Sequence, residues 1–203
     1  MIYIIPILTN LNLPELTLLN LYKNNITDIK IFELIKDYKK LNAFFIGENK
    51  FKFEESKKFY EFPLTLEEFG FTGNCEGEKI NFVRKLGVDN LKILYLSRNK
   101  IDNLNCLKDI KFKRLREFWA ISNNITDINE IMNINNKEDL WKINLKQNKI
   151  KNFNELINII GFFPKLEILN LTDNDGIGEN VALQMKRKIK ELLNKDINIE
   201  LYE

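Results

Sequence analysis

The sequence predicts an α/β solenoid: a curved right-handed superhelix with a concave parallel β-sheet and a convex side of short helices and loops. Three observations predict it. One pattern of apolar residues closed by an asparagine recurs seven times, its interval is nearly constant, and several segments between recurrences carry helical periodicity. The pattern L-x-x-L-x-L-x-x-N-x-I reads as Leu16, Leu19, Leu21, Asn24, Ile26 and again as Leu91, Leu94, Leu96, Asn99, Ile101. Variants begin at Leu41 (Phe44, Ile46, Asn49, Phe51), Leu66 (Phe69, Phe71, Asn74), Leu115 (Phe118, Ala120, Asn123, Ile125), Leu140 (Ile143, Leu145, Asn148, Ile150) and Leu166 (Leu169, Leu171, Asn174). The intervals between starts are 25, 25, 25, 24, 25 and 26 residues.

Each position has a physical reason. A unit of this size cannot bury its own apolar face, so units must stack. The fourth and sixth positions alternate inward from a short strand, and the first and eleventh fill the same interior. The ninth-position asparagines, Asn24, Asn49, Asn74, Asn99, Asn123, Asn148 and Asn174, are expected to form a buried ladder on backbone groups otherwise left unpaired. Between strands, Ile31, Leu34 and Ile35 mark one helical segment, Ile128, Ile131 and Met132 a second, and Phe153, Leu156, Ile159 and Ile160 a third. Segments 52–65 and 77–90 read less cleanly, broken by Pro63, Gly77 and Gly87.

A solenoid leaves its core open at both ends, so caps are required. Residues 1–15, with Ile2, Ile5, Ile7 and Asn10, read as a truncated N-terminal cap, and 16–179 hold the seven repeats. Residues 180–203 read as a C-terminal cap. Asn180 is read as the cap of a helix whose apolar residues Ala182, Met185, Ile189, Leu192 and Leu193 share one face, and Ile197, Ile199 and Leu201 supply a last strand. Residues 1–203 are thus read as a single domain.

Composition limits the function. Thirty-one Lys+Arg against 29 Asp+Glu leave a net charge of +2, too balanced for general electrostatic capture of nucleic acid. Histidine is absent, which removes the commonest general base and most zinc sites. The segment Asp173-Asn174-Asp175-Gly176 resembles a calcium loop, but with Gly176 as the turn glycine the first and twelfth ligand positions fall on Leu171 and Ala182. The reading is therefore a non-enzyme without cofactor, metal or small-molecule substrate. Cys75, at an outward tenth position, and Cys106, in a convex segment, differ in phase and read as two free thiols of a reducing compartment. The N-terminal MIYIIPILTNLNL lacks a basic n-region, and no stretch approaches the roughly 18 uninterrupted apolar residues of a membrane span. A cytoplasmic protein is expected, with nuclear or axonemal placement as alternatives, and no membrane partner.

Strand alternation sends the third, fifth and seventh positions out from the concave sheet. The fifth-position column runs Asn20, Phe45, Gly70, Tyr95, Trp119, Asn144, Asn170 and the seventh runs Tyr22, Gly47, Thr72, Ser97, Ile121, Lys146, Thr172. The third runs Leu18, Ala43, Glu68, Ile93, Glu117, Lys142, Ile168. The repeat needs no large apolar groups there, so Tyr22, Phe45, Ile93, Tyr95, Glu117, Trp119 and Ile121 are the candidate partner-binding residues, with Phe45 reaching across the notch at Gly70. The bland alternative is that the stacked rings only stabilise neighbouring strands. Lys23, Lys50, Arg98, Lys100, Lys146 and Lys149 give a mainly basic rim, read either as a solvated edge or as a rim that steers an acidic partner. Arg98 and Lys100, with Lys186, Arg187 and Lys190 of the C-terminal helix, form a second, basic candidate surface.

The repeat pattern, over essentially the whole chain, identifies the sequence as a member of the leucine-rich repeat superfamily. LKILYLSRNKIDNLNCL (91–107) and LREFWAISNNITDI (115–128) resemble the intracellular class typified by the leucine-rich regulatory subunit of protein phosphatase one. Leu91 to Asn174 looks most like the leucine-rich light chain of axonemal outer-arm dynein, which implies a sheet face around Trp119 docked on a large protein. A comparable architecture in the spliceosomal A-prime protein implies the alternative of a subunit in an RNA-containing assembly. The expected function is a non-catalytic protein-interaction module, an adaptor or assembly subunit.

Overall fold

The computed structural model describes residues 8, 10, 11, 13–53, 58–151, 156–174, 179–193 and 198–200. Each repeat contributes one three-residue strand: β1 Leu18–Asn20, β2 Ala43–Phe45, β3 Glu68–Gly70, β4 Ile93–Tyr95, β5 Glu117–Trp119, β6 Lys142–Asn144 and β7 Ile168–Asn170. An eighth, β8 Asn198–Glu200, follows in the C-terminal segment. The strands form one parallel sheet in the order β1 to β8. Register follows the repeat: Leu19, Phe44, Phe69, Leu94, Phe118, Ile143 and Leu169 lie side by side, each at the fourth position of its unit. The sheet is part of an α/β leucine-rich repeat solenoid.

The convex side is helical in short pieces. α1 (Ile31–Leu34) runs into a 3-10 turn, Ile35–Asp37. Further 3-10 segments span Gly77–Lys85, Leu104–Leu107 and Ile128–Asn133, and α2 is Leu156–Phe162. Two of these turns have side-chain caps, Asn103 Oδ1 accepting from the Asn105 amide at 3.1 Å and Asp127 Oδ1 from the Asn129 amide at 2.9 Å. α3 is Glu179–Leu193, which packs on α2.

The sequence reads poorly over 52–65 and 77–90 because phenylalanine replaces leucine as the filler there. Phe32, fully buried, has ring centroids of Phe44, Phe51, Tyr60, Phe62, Phe71 and Phe82 within 5.3–6.3 Å. Rings crowd the interior of units one to three, whereas units four to seven are filled mainly by aliphatic side chains, with Phe112, Phe118 and Phe163 among them.

The ladder couples each unit to the one before it. Asn99 Oδ1 accepts from the amides of Asn74 (2.8 Å) and Cys75 (2.9 Å), while Nδ2 donates to the carbonyls of Phe71 (2.8 Å) and Leu96 (3.0 Å). Asn49, Asn123, Asn148 and Asn174 repeat this scheme. Asn24 corrects the expectation of seven buried rungs. Its side chain is exposed and donates only to the Tyr22 carbonyl, at 3.1 Å, because no preceding described strand offers it backbone groups, and Asn74 is half-buried rather than buried.

The residue before each ladder asparagine adopts left-handed backbone in all seven units: Lys23, Glu48, Gly73, Arg98, Ser122, Gln147 and Asp173, with φ between +49 and +65°. The turn aims the amide of this residue at the next unit. Lys23 N–H donates to the Gly47 carbonyl at 3.0 Å, and Arg98 N–H to that of Ile121 at 2.9 Å. Only one of the seven is glycine, so this bond offsets a conformational cost of about 1–2 kcal/mol per residue.

Three other expectations need correction. Cys75 is buried, since the tenth position of that unit turns in under the ladder, where its amide meets Asn99 Oδ1. Met132 is exposed, because in a 3-10 turn Ile128 and Ile131, three apart, eclipse and take the inner face. Leu192 is 60% exposed in the last turn of α3, whereas Ile189, one turn earlier, is buried. Ile2, Ile5, Ile7, Phe153, Asp175, Gly176, Ile197 and Leu201 lie outside the described residues.

Candidate partner-binding face

On the concave sheet the third and fifth positions flank a buried fourth, giving an outward-buried-outward pattern in β1, β4, β5 and β7. Strand pairing places Phe45 beside Gly70, Gly70 beside Tyr95 and Tyr95 beside Trp119. The Phe45 ring lies over Gly70, where a Cβ would meet its Cδ1 at 2.6 Å, and this lets it reach Tyr95 with ring centroids 6.1 Å apart. Tyr95 and Trp119 follow at 5.9 Å and 31°. The three rings form one row over β2 to β5. They are half-buried rather than exposed, because each covers part of the next.

Ile93 and Ile121 border the row and are also half-buried. Glu117 is tied into it by Trp119 Nε1, which donates to Glu117 Oε2 at 3.0 Å. Lys142, beside Glu117 in register, places its ammonium 4.3 Å from the centre of the Trp119 ring and 5.8 Å from that of Trp141. Neither Lys142 nor Glu68 stands out by residue type in the sequence. Their third-position phase, next to a ring at the fifth position of a neighbouring unit, is the signal that marks them. Burial raises the pKa of Tyr95, and the carboxylates of Glu68 and Glu117 raise it further.

Tyr22 stands apart from the row. Its ring lies on Gly47, where a Cβ would come within 2.8 Å, and its hydroxyl donates to Glu48 Oε1. That hydrogen bond, with burial second, raises the Tyr22 pKa, and the same bond is the main cause of the lowered pKa of Glu48. Glu48 also pairs with Lys23 and Arg98, each at 3.2 Å. Lys100 pairs with Glu76 at 2.6 Å and Lys146 with Asp173 at 3.5 Å. The basic rim of the sequence is therefore largely an edge of ion pairs in which Arg98 and Lys100 are engaged. Lys186, Arg187 and Lys190 are exposed on α3, well away in sequence from the aromatic row.

Among the expected outward positions, Ala43, Gly47, Gly70, Asn144 and Thr172 are buried beneath larger neighbours. Asn144 lies between Trp119 and Asn170 in register. A separate cleft of about 480 Å³, lined by Lys36, Lys39, Phe59, Leu64, Gly87 and Lys113 among others, shares no residue with the row. Among the described residues no cluster of three or more His, Cys, Asp or Glu is arranged to hold a metal ion, and no helix is long and apolar enough to cross a membrane.

No family model matches the chain, and no curated protein matches it. Solved structures do. Internalin C2 of Listeria monocytogenes is similar at 15% identity and a TM-score of 0.60, with 92% of this chain and 80% of that one covered. The internalin inlF of the same species is similar at 14% identity and a TM-score of 0.61, with 97% of this chain covered and only about half, 52%, of the longer one. At these identities the likeness concerns architecture, and with the asparagine ladder and the register of the strands it establishes that the chain has the leucine-rich repeat fold.

Proposed function

We propose that this chain is a non-catalytic protein–protein interaction module, an adaptor or subunit of a larger assembly, that binds its partner through the concave face of the sheet. The observation that carries the reading is the continuous row Phe45–Tyr95–Trp119, bordered by Ile93 and Ile121, on positions that the repeat itself leaves free. A structural role would be met by contacts between adjacent strands. Phe45 instead reaches across the empty position at Gly70, which makes one surface of four strands. Aromatic anchors of this kind dominate the energetics of protein interfaces.

The two unpaired, buried thiols support a reducing compartment such as the cytoplasm. The alternative in which Arg98, Lys100, Lys186, Arg187 and Lys190 contact RNA loses support on the rim, where Arg98 and Lys100 are already ion-paired.

The test is recovery of partners from native lysate by wild type and by the Tyr95→Ala/Trp119→Ala variant, with thermal melts of both. Loss of specific partners from a variant that still folds is expected. Equal recovery at unchanged thermal stability would sink the concave face as the docking surface.

A further inference from the structure

The charges on the concave face are unevenly spent. Lys23 and Arg98 share Glu48, Lys146 pairs with Asp173, and Lys142 rests on Trp119. On the acidic side, Glu68 has no ion-pair or side-chain hydrogen-bond partner among the described residues, and Glu117 holds only the Trp119 indole N–H. Register places these two half-buried carboxylates on either side of Ile93, two residues before Gly70 and Trp119, with Tyr95 in the strand between them. At a strand spacing of about 4.8 Å, their backbones stand about 10 Å apart. Register thus sets an acidic residue on each neighbouring strand of Tyr95, and, beyond the effect of burial, both carboxylates raise the pKa of its hydroxyl.

We propose that this part of the row receives a cationic side chain, arginine above all, from an extended segment of the protein partner. The assignment rests on the concave face being the docking face and specifies its partner's chemistry. A guanidinium is flat and weakly hydrated, so it stacks on an aromatic ring while its fork of N–H groups donates to carboxylates. Phe45, Tyr95 and Trp119 supply the rings, and Glu68 and Glu117 supply acceptors on two sides. The surface already holds one cation in this way, the Lys142 ammonium over Trp119. An acidic partner would instead meet Glu68 and Glu117 as like charges, and the rim cations that were expected to attract it are largely neutralised.

The probes are the peptide acetyl-Gly-Arg-Gly-Arg-Gly-amide, its analogue with citrulline for arginine, which keeps shape and loses charge, and its glutamate analogue. Each is titrated at low salt into the 15N-labelled full chain, with the indole N–H of Trp119 as the reporter and Trp141→Phe to assign it. Saturable shifts with the arginine peptide are expected, weaker by about tenfold or more for the citrulline peptide and for the Glu68→Gln/Glu117→Gln variant. Tighter binding of the glutamate peptide, indifference to the double glutamine variant, or no shift with any peptide would each overturn the assignment. The underlying reading has a separate outcome. If partners are lost with Tyr95→Ala/Trp119→Ala yet kept by Glu68→Gln/Glu117→Gln, the concave face stands and the cationic anchor falls.

Discussion

Replacing Asn99 by alanine is expected to destabilise the chain by about 3–6 kcal/mol, on the scale of a typical domain's entire stability of about 5–15 kcal/mol. Asn99 is fully buried and its carboxamide makes four bonds to backbone groups. Without it the Leu96 carbonyl keeps a second donor, Asn123 Nδ2 at 3.1 Å. The amides of Asn74 and Cys75 and the carbonyl of Phe71 lose the carboxamide that holds them. Each orphaned buried group costs about 1–3 kcal/mol, and partial entry of water lowers the total. Asn24→Ala, at an exposed rung with one bond, is the internal control and should stay within about 0.5 kcal/mol of wild type. Urea unfolding followed by circular dichroism measures both variants. Amide exchange adds a local readout, since protection of Asn74 and Cys75 should fall first. Because stability in a stacked array is a sum of neighbour terms, the Asn99 variant should also lose cooperativity between units one to three and units four to seven. If Asn99→Ala costs no more than Asn24→Ala, the ladder is not what couples the units.

Two further outcomes follow from the geometry. Gly70→Ala places a Cβ 2.6 Å from Phe45 Cδ1, so the ring must swing off the notch and leave Tyr95. The expected cost is about 1–2 kcal/mol of stability, with partner binding weakened although no anchor residue has been changed, as measured by melts and by partner recovery. Burial pushes the Cys106 thiol from 9.0 up to about 12 and raises that of Cys75 as well. A folded pKa above the unfolded one stabilises fully below the unfolded value and is lost as pH rises through the folded value. Stability should therefore fall between about pH 9 and about pH 12, less steeply in Cys106→Ala, and both thiols should resist alkylation at about pH 8 until the chain is unfolded.

The array was legible because stacking imposes one rule on every unit: Leu or its substitute at the first, fourth and sixth positions and Asn at the ninth. Strand register then follows from aligning the units, as Leu19 beside Phe44 and Phe44 beside Phe69 show. The row of rings was also readable, since alternation alone assigns Phe45, Tyr95 and Trp119 to the outer face. What escaped the sequence depends on contacts between units. Cys75 looked outward by its tenth position, but the ladder turns that position in. The basic rim looked available until Glu48, from another unit, was seen to gather Tyr22, Lys23 and Arg98. The left-handed residue ahead of each asparagine had no compositional mark, with glycine present at Gly73 alone.

The constant interval and the ladder have a consequence for how such a surface changes over generations. The side chains that hold the units together occupy the first, fourth, sixth and ninth positions, and the rings of the concave row occupy the fifth. On the proposed function, folding and recognition are thus written in separate columns of the same text. If the concave row is the docking face, a mutation at residue 95 or 119 alters what is recognised while the rungs at Asn99 and Asn123 stay intact, and an added unit would lengthen the ruler without rewriting its marks. Gly70 is the exception that ties the two together: its backbone serves the sheet, and the emptiness where a side chain would stand is what lets the Phe45 and Tyr95 rings meet.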